Sequence, residues 1–231
     1  MSDEIIINTG ELAKVQPTVE EVKVPLFKLV PEDDTILSTR LPEFDFANPP
    51  VNPNEFASSL VETCKANRGL GLSANQCGFK YRVFVAGHGD NYVAYFNPKV
   101  ISMSENEDIG PEGCLSFPHL FLNILRPRWV KVEYQDFNGE THQVQFEGLT
   151  ARVFLHEYDH MEGITFKHRA KPLALKSGVE KRNKLFHKME QAQKQLSKMA
   201  KKTDFARDLT RGTAPQVIMN KPAAKSAGRG R

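Results

Sequence analysis

The stretch from Trp129 to His160 constrains the fold more than any other part of this chain. Over Trp129–Gln135 the apolar residues Val130, Val132 and Tyr134 alternate, the pattern of a half-buried strand. Asn138-Gly139 is a strong hairpin dipeptide, and residues 143–147 form the returning strand. Gly148 closes that strand. Leu149, Val153, His156 and His160 then recur at steps of four, three and four, which places them on one face of a helix. An antiparallel hairpin therefore runs straight into a helix, and Leu149 and Val153 predict that His156 turns towards the buried side.

His156-Glu157-Tyr158-Asp159-His160 is an H-E-x-x-H segment on that helix. Two histidines four residues apart can hold one metal ion, while the intervening glutamate reaches the adjacent water without ligating the ion. A catalytic metal needs a third protein ligand and an open position. The downstream histidine of the longer H-E-x-x-H-x-x-G-x-x-H pattern is missing: Gly163 is in place, but Phe166 stands where the histidine is due. Glu162 is too close to His160 to fold back, and His168 is off the spacing. The search moves upstream, where Cys114 stands in Glu112-Gly113-Cys114-Leu115-Ser116.

Elsewhere the chain reads as an ordered body between two loose ends. Pro53 follows Asn52 as a first-turn residue, and Phe56, Leu60 and Cys64 share a helical face, which predicts a helix over residues 53–67. Strands are predicted over residues 81–86 and 92–97, with a turn between them at 87–90. Residues 1–24 carry five acidic residues against Lys14 and Lys23, the wrong sign for a transit peptide, and read as an acidic leader. Beyond Pro172, Leu185, Met189, Ala192, Leu196 and Met199 form a one-sided apolar stripe on a Lys-rich helix, and the composition from Gly212 onward predicts a disordered end.

Charge separates these parts. The formal net charge of +3 divides into 16 Lys+Arg against 24 Asp+Glu over residues 1–175, and 15 against 4 over residues 176–231. An acidic body thus precedes a basic tail. The longest apolar runs fall far short of the roughly 20 residues that cross a bilayer, which rules out a membrane-spanning helix. Cys64, Cys77 and Cys114 cannot all pair, and their spacing is not that of a disulfide framework. A reducing cytoplasm is expected.

Three segments, taken together, resemble the peptide deformylases: Gly69-Leu70-Gly71-Leu72-Ser73-Ala74-Asn75-Gln76, then Glu112-Gly113-Cys114-Leu115-Ser116, then His156-Glu157-Tyr158-Asp159-His160. Their order and separation match that family's three motifs over residues 25–171. The resemblance implies an α+β fold, with mixed and antiparallel sheets packed around a central metal-binding helix; the apolar stripe and the composition add a C-terminal basic helix over 172–211 and a disordered basic tail over 212–231. It implies removal of the formyl group from the N-terminal formylmethionine of nascent polypeptides, with release of formate.

Carried over by position, the resemblance makes Cys114, His156 and His160 the metal ligands. Glu157 is then the proton carrier, and Gln76 with the backbone N–H of Leu115 stabilises the developing oxyanion. Gly69 and Gly71 let a peptide lie close as an added strand, and Leu70, Leu149 and Val153 match positions lining the methionine pocket, although core packing explains those three equally well. The family typically uses Fe(II), while the donor set also suits Zn, Ni or Co. Leu155, Ser73 and Asn75 depart from the residues most frequent at their positions. Glu112 is expected to pair with Arg126 and brace the Cys114 loop. Cys64 and Cys77 are expected to be packing residues. A monomer is expected, with a basic helix that either docks on ribosomal RNA or packs its stripe on the body. A metallopeptidase acting on unblocked peptides and a non-catalytic ribosome- or RNA-binding protein are the competing functions.

Overall fold

A computed structural model describes the backbone of residues 24–212 and the side chains of residues 24–200. The leader and the tail end therefore lie outside the described residues, apart from Val24 and Gly212. Helix α1, Pro53–Ala66, starts where Asn52 accepts hydrogen bonds from the N–H groups of Asn54 and Glu55 at 3.0 and 3.2 Å, with Pro53 in the first turn. This cap satisfies donors that the helix itself cannot. Phe56, Leu60 and Cys64 form its buried face.

Strands β1 (Gly71–Ser73), β2 (Val83–His88), β3 (Asn91–Met103), β4 (Glu107–Cys114), β5 (Phe117–Pro127), β6 (Trp129–Gln135) and β7 (Thr141–Glu147) follow, then helices α2 (Gly148–Met161), α3 (Phe166–Arg169) and α4 (Pro172–Gly212). Five strands form one sheet in the order β1-β2-β3-β6-β7, and β4 pairs with β5 as a separate two-stranded sheet. Every strand pair is antiparallel. Of the mixed and antiparallel sheets expected, only the antiparallel kind is present among the described residues. For β2–β3, β4–β5 and β6–β7 the reason is connection length: neighbours joined by short turns have no crossover with which to return in parallel.

The five-stranded sheet is covered on both faces. Val83 and Val85 of β2 pack with Phe56 and Leu60 of α1, while Phe84 of the same strand packs with Phe154 and Leu155 of α2, together with Val130 and Val132. Alternation along β2 thus sends successive side chains to opposite helices. This is why that strand reads as a continuous apolar run. α2 follows β7 with almost no linker, and Gly148 makes the turn at a φ of 56°, a conformation that favours glycine.

The β4–β5 ribbon was not legible in the sequence. Its inner face carries Leu120, Leu122, Ile124 and Arg126, but its outer face exposes Ile109, Phe121 and Leu125, so the contrast between faces is blurred. β4 contains Gly110, Pro111 and Gly113, residues that disfavour strands in isolation. A register shift falls between Gly113, which pairs with Phe121, and Cys114, which pairs with Phe117, and it bends the ribbon at its tip.

The chain divides into two compact units, one ending at Leu175 and the other beginning at Lys176. α4 within the second unit is polar and carries an exposed Glu190–Lys194 ion pair one turn apart. Among the described residues no helix is long and apolar enough to cross a membrane.

Candidate active site

Three segments of the first unit meet at a cleft of about 600 Å³. The first lies at the sheet edge. The Gly87 N–H donates to the Leu70 carbonyl at 2.8 Å, marking Leu70 and Gly87 as a hydrogen-bonded pair. The next pair, Gly71 and Ala86, is then of the non-hydrogen-bonded kind, so the N–H and C=O of Gly71 face the open edge of β1. Beyond β1 a short 3₁₀ turn over Ala74–Cys77 carries Gln76. Its Oε1 accepts the Ser73 N–H at 2.9 Å, which orients its Nε2 towards Cys114 Sγ at 3.3 Å and Ser116 Oγ at 3.1 Å.

The second segment is the bent tip of the β4–β5 ribbon, which presents Cys114 and Leu115 to the cleft. The third is α2, whose His156 and His160 rings lie 5.4 Å apart, centroid to centroid. His160 Nε2 is 3.4 Å from Cys114 Sγ. One ligand atom from each of Cys114, His156 and His160 lies within 4.8 Å of the others, a spacing that one ion can bridge.

A buried ionic network holds this trio. Glu112 accepts both Nε and Nη2 of Arg126 at 2.9 and 3.0 Å, Nη1 of Arg152 at 2.9 Å, and Nδ1 of His156 at 3.0 Å. Burial works against the Glu112 charge, but the hydrogen bonds from His156 and Arg126 and the charge of Arg126 overcome it, and the carboxyl is held down at about 2. An ionised Glu112 can only accept, so Nδ1 of His156 carries a proton and Nε2 is the ring atom left to hold an ion. Arg126 also reaches Asp159 at 2.6 Å, and Asp159 in turn takes Arg169 at 2.6 Å.

The donor set fits a metal ion. Burial, helped by the charges of His156 and Arg126, keeps His160 well below the usual histidine range and therefore neutral, the form that ligates. Burial also opposes the charge on His156, but its interactions with Cys114 and Glu112 hold the ring protonated up to about 10, so Nε2 would have to give up a proton to hold an ion. Glu157 is buried beside the trio, and burial raises its carboxyl above the ordinary range against the opposing charge of His156 and the Ser73 hydroxyl. Asp136, Glu140 and His142 form a second close group, but there Asp136 accepts the N–H groups of Asn138 and Glu140 and shapes the β6–β7 turn.

The structure brings together the residues that the sequence singles out. Leu70, Gly71, Gln76, Cys114, Leu115, Leu149, Val153, His156 and Glu157 all line the cleft, and His160 lies just beneath it. The expectation that Leu149 and Val153 put His156 on the buried face holds, and of the two readings of Leu70 and Leu149 the cleft wall fits better than core packing. His156 and His160 are buried, but Leu149 is 65% exposed and Leu70 45%, because this end of the face opens into the cleft instead of the core. Arg152, Ser116 and the Asp159–Arg169 pair were not anticipated. Arg152 sits one helical turn before His156, the single local signal that it could share that residue's partners.

The family model described as polypeptide deformylase matches residues 27–176. The chain belongs to the peptide deformylase family. A peptide deformylase from Thermotoga neapolitana is 43% identical over 113 residues, covering 49% of this chain and 69% of that protein, and one from Roseiflexus is 34% identical over 162 residues, covering 62% and 86%. Among solved structures, the peptide deformylase of Thermotoga maritima superimposes with a TM-score of 0.59 at 34% identity, over 64% of this chain and 99% of that one. The Synechococcus elongatus enzyme in complex with actinonin gives 0.64 at 27% identity, over 70% and 90%. Peptide deformylases are metal-dependent hydrolases that remove N-formyl groups from nascent peptides, and this chain is an enzyme of that class.

Proposed function

We propose that Cys114, His156 and His160 hold one divalent ion, that Glu157 carries the proton, and that Gln76 and the Leu115 N–H stabilise charge on the formyl oxygen. One observation carries this reading: three ligand atoms lie within 4.8 Å of one another beside a cleft that Gln76 and Glu157 also line. When bound, the ion supplies Lewis-acid activation of a water near neutral pH. Glu157 takes a proton from the attacking water and delivers it to the leaving amine, a task that suits a carboxyl raised above its ordinary range. As the formyl carbon becomes tetrahedral, the Gln76 amide, already aimed across the cleft, and the Leu115 N–H meet the growing negative charge.

The outward N–H and C=O of Gly71 suit a peptide added along β1, while Leu70, Leu149 and Val153 offer apolar walls for the methionine side chain. A solved deformylase from Acinetobacter baumannii has Met-Ala-Ser bound, which is consistent with a short peptide in such a cleft. A thiolate with two imidazoles accepts Fe(II), Zn, Ni or Co, and Fe(II) is the ion we assign in the cell. We further assign residues 25–171 as the catalytic domain, with residues 1–24 as a leader and 212–231 as a tail, in a cytoplasmic enzyme. The basic helix over 172–211 is assigned to ribosomal RNA, supported by the 15 Lys+Arg against 4 Asp+Glu beyond residue 175.

The test of the chemistry is formate release from formyl-Met peptides by protein prepared anaerobically with Fe(II). Activity on formylated peptides, none on unformylated ones, and loss of activity in Glu157→Ala are expected. Cleavage of unformylated peptides would instead establish a metallopeptidase, and full activity in Glu157→Ala would overturn the proton-carrier role. For the tail, truncation at Lys176 is expected to abolish salt-sensitive co-sedimentation with ribosomes, and unchanged co-sedimentation would reject that assignment.

A further inference from the structure

The Ser73 side chain has no task in the mechanism above, yet it touches its centre. Ser73 is fully buried at the end of β1, and its hydroxyl donates to Glu157 Oε2 at 2.7 Å, with the Glu157 backbone carbonyl at 3.3 Å. Among the described residues no other side chain is seen to donate to that carboxylate. On its opposite side the carboxylate is confined by Gly71, where a Cβ would run into Oε1. The backbone N–H of Ser73 meanwhile orients Gln76.

We propose that Ser73 is a positioning residue for deformylation: its hydroxyl pins Oε2 of Glu157, so that Oε1 alone is presented to the reacting water. A glutamate side chain has three rotatable bonds, and a carboxylate anchored through one oxygen to a buried strand cannot exchange its two oxygens. The general base then meets the water in one orientation. Misplacement of a catalytic group by a fraction of an ångström to 1 Å is enough to slow a reaction severely. Ser73 thus sits between two reacting groups, holding Gln76 with its backbone and Glu157 with its side chain.

This inference rests on the role assigned to Glu157, and the test separates the two. In the metal-loaded full-length enzyme, Ser73→Ala is expected to lower kcat about tenfold, while KM for formyl-Met-Ala-Ser stays within about twofold and the bound metal per chain is unchanged. A group acting only on the transition state moves kcat and not KM; a merely structural hydroxyl moves metal content and thermal midpoint instead. A kcat within about twofold of the unsubstituted enzyme overturns the proposal, as does a loss of kcat that tracks a loss of metal. Glu157→Gln is measured alongside. If it keeps normal kcat, the Glu157 role itself fails; if it is inactive while Ser73→Ala is unaffected, the positioning role alone fails.

Discussion

Glu112 accepts a hydrogen bond from Nδ1 of His156 at 3.0 Å and at the same time chelates the Arg126 guanidinium through both oxygens. One carboxylate therefore sets the ring orientation of a proposed ligand and neutralises the Arg126 cation. Partners of this kind change metal affinity by about 10–100-fold in metalloenzymes. Glu112→Ala is expected to weaken metal retention by that order, measured by competition with a chelator, and to lower stability as well, because Arg126 loses its bidentate partner while buried. Unchanged metal affinity would show that Glu112 serves the ribbon alone.

The same carboxylate predicts an acid limb in stability. Its folded-state value of about 2 lies below the ordinary 4.5, so its contribution is fully present above about pH 4.5 and is lost as pH falls through about 2. The shift corresponds to a contribution on the order of 3 kcal/mol. In denaturant titrations, the stability gap between the unsubstituted protein and Glu112→Gln should narrow steadily from pH 4.5 towards pH 2. A gap independent of pH would refute this.

Glu112 also marks how far the sequence could be read. Its pairing with Arg126 was anticipated as a brace for the Cys114 loop, and the β6–β7 hairpin and α2 were legible because alternation, Asn138-Gly139 and the 3.6-residue period are local signals. The β4–β5 ribbon, with apolar residues on both faces and a bend at Gly113, has no such signature. Arg152, Asp159 and Arg169 join the network only because α2, α3 and the ribbon converge, a long-range fact that no window of sequence contains. Periodicity alone left open, for the same reason, whether Leu149 faces core or cleft: it shows that a face is apolar, not what lies in front of it.

Burial divides the three thiols. Cys64 and Cys77 are both pushed up to about 12 by desolvation, whereas Cys114 is only half-buried at the cleft. Since the thiolate is the reactive form, Cys64 and Cys77 should resist alkylation at pH 8 in the folded enzyme. Treatment with a chelator should then make one thiol per chain reactive, and peptide mapping should place the label on Cys114. Labelling of Cys64 or Cys77 before unfolding would contradict this.

Gly71 is constrained from its inner side, since a Cβ there would overlap the Glu157 carboxylate. In Gly71→Ala that carboxylate must move, and kcat should fall by about a hundredfold, the order expected for misplacing a catalytic group by about 1 Å. Near-normal kcat would mean that Glu157 has slack in its pocket.

Behind the same segment, the Tyr92 hydroxyl donates to the Gly69 carbonyl at 2.6 Å, and the Gly69 N–H donates to the Cys64 carbonyl at 2.9 Å. The approach to the proposed peptide-binding edge is thus tied to β3 by a side chain and to α1 by the backbone. Tyr92→Phe removes one hydrogen bond worth about 1 kcal/mol while keeping the ring, and it loosens Gly69 and Leu70 without touching the proposed ligands or Glu157. Substrate binding should therefore suffer and chemistry should not: KM is expected to rise about fivefold with kcat nearly unchanged. Steady-state kinetics on a formyl-Met tripeptide checks this. A fall in kcat at constant KM would mean that the Gly69 carbonyl positions the reacting groups, not the peptide.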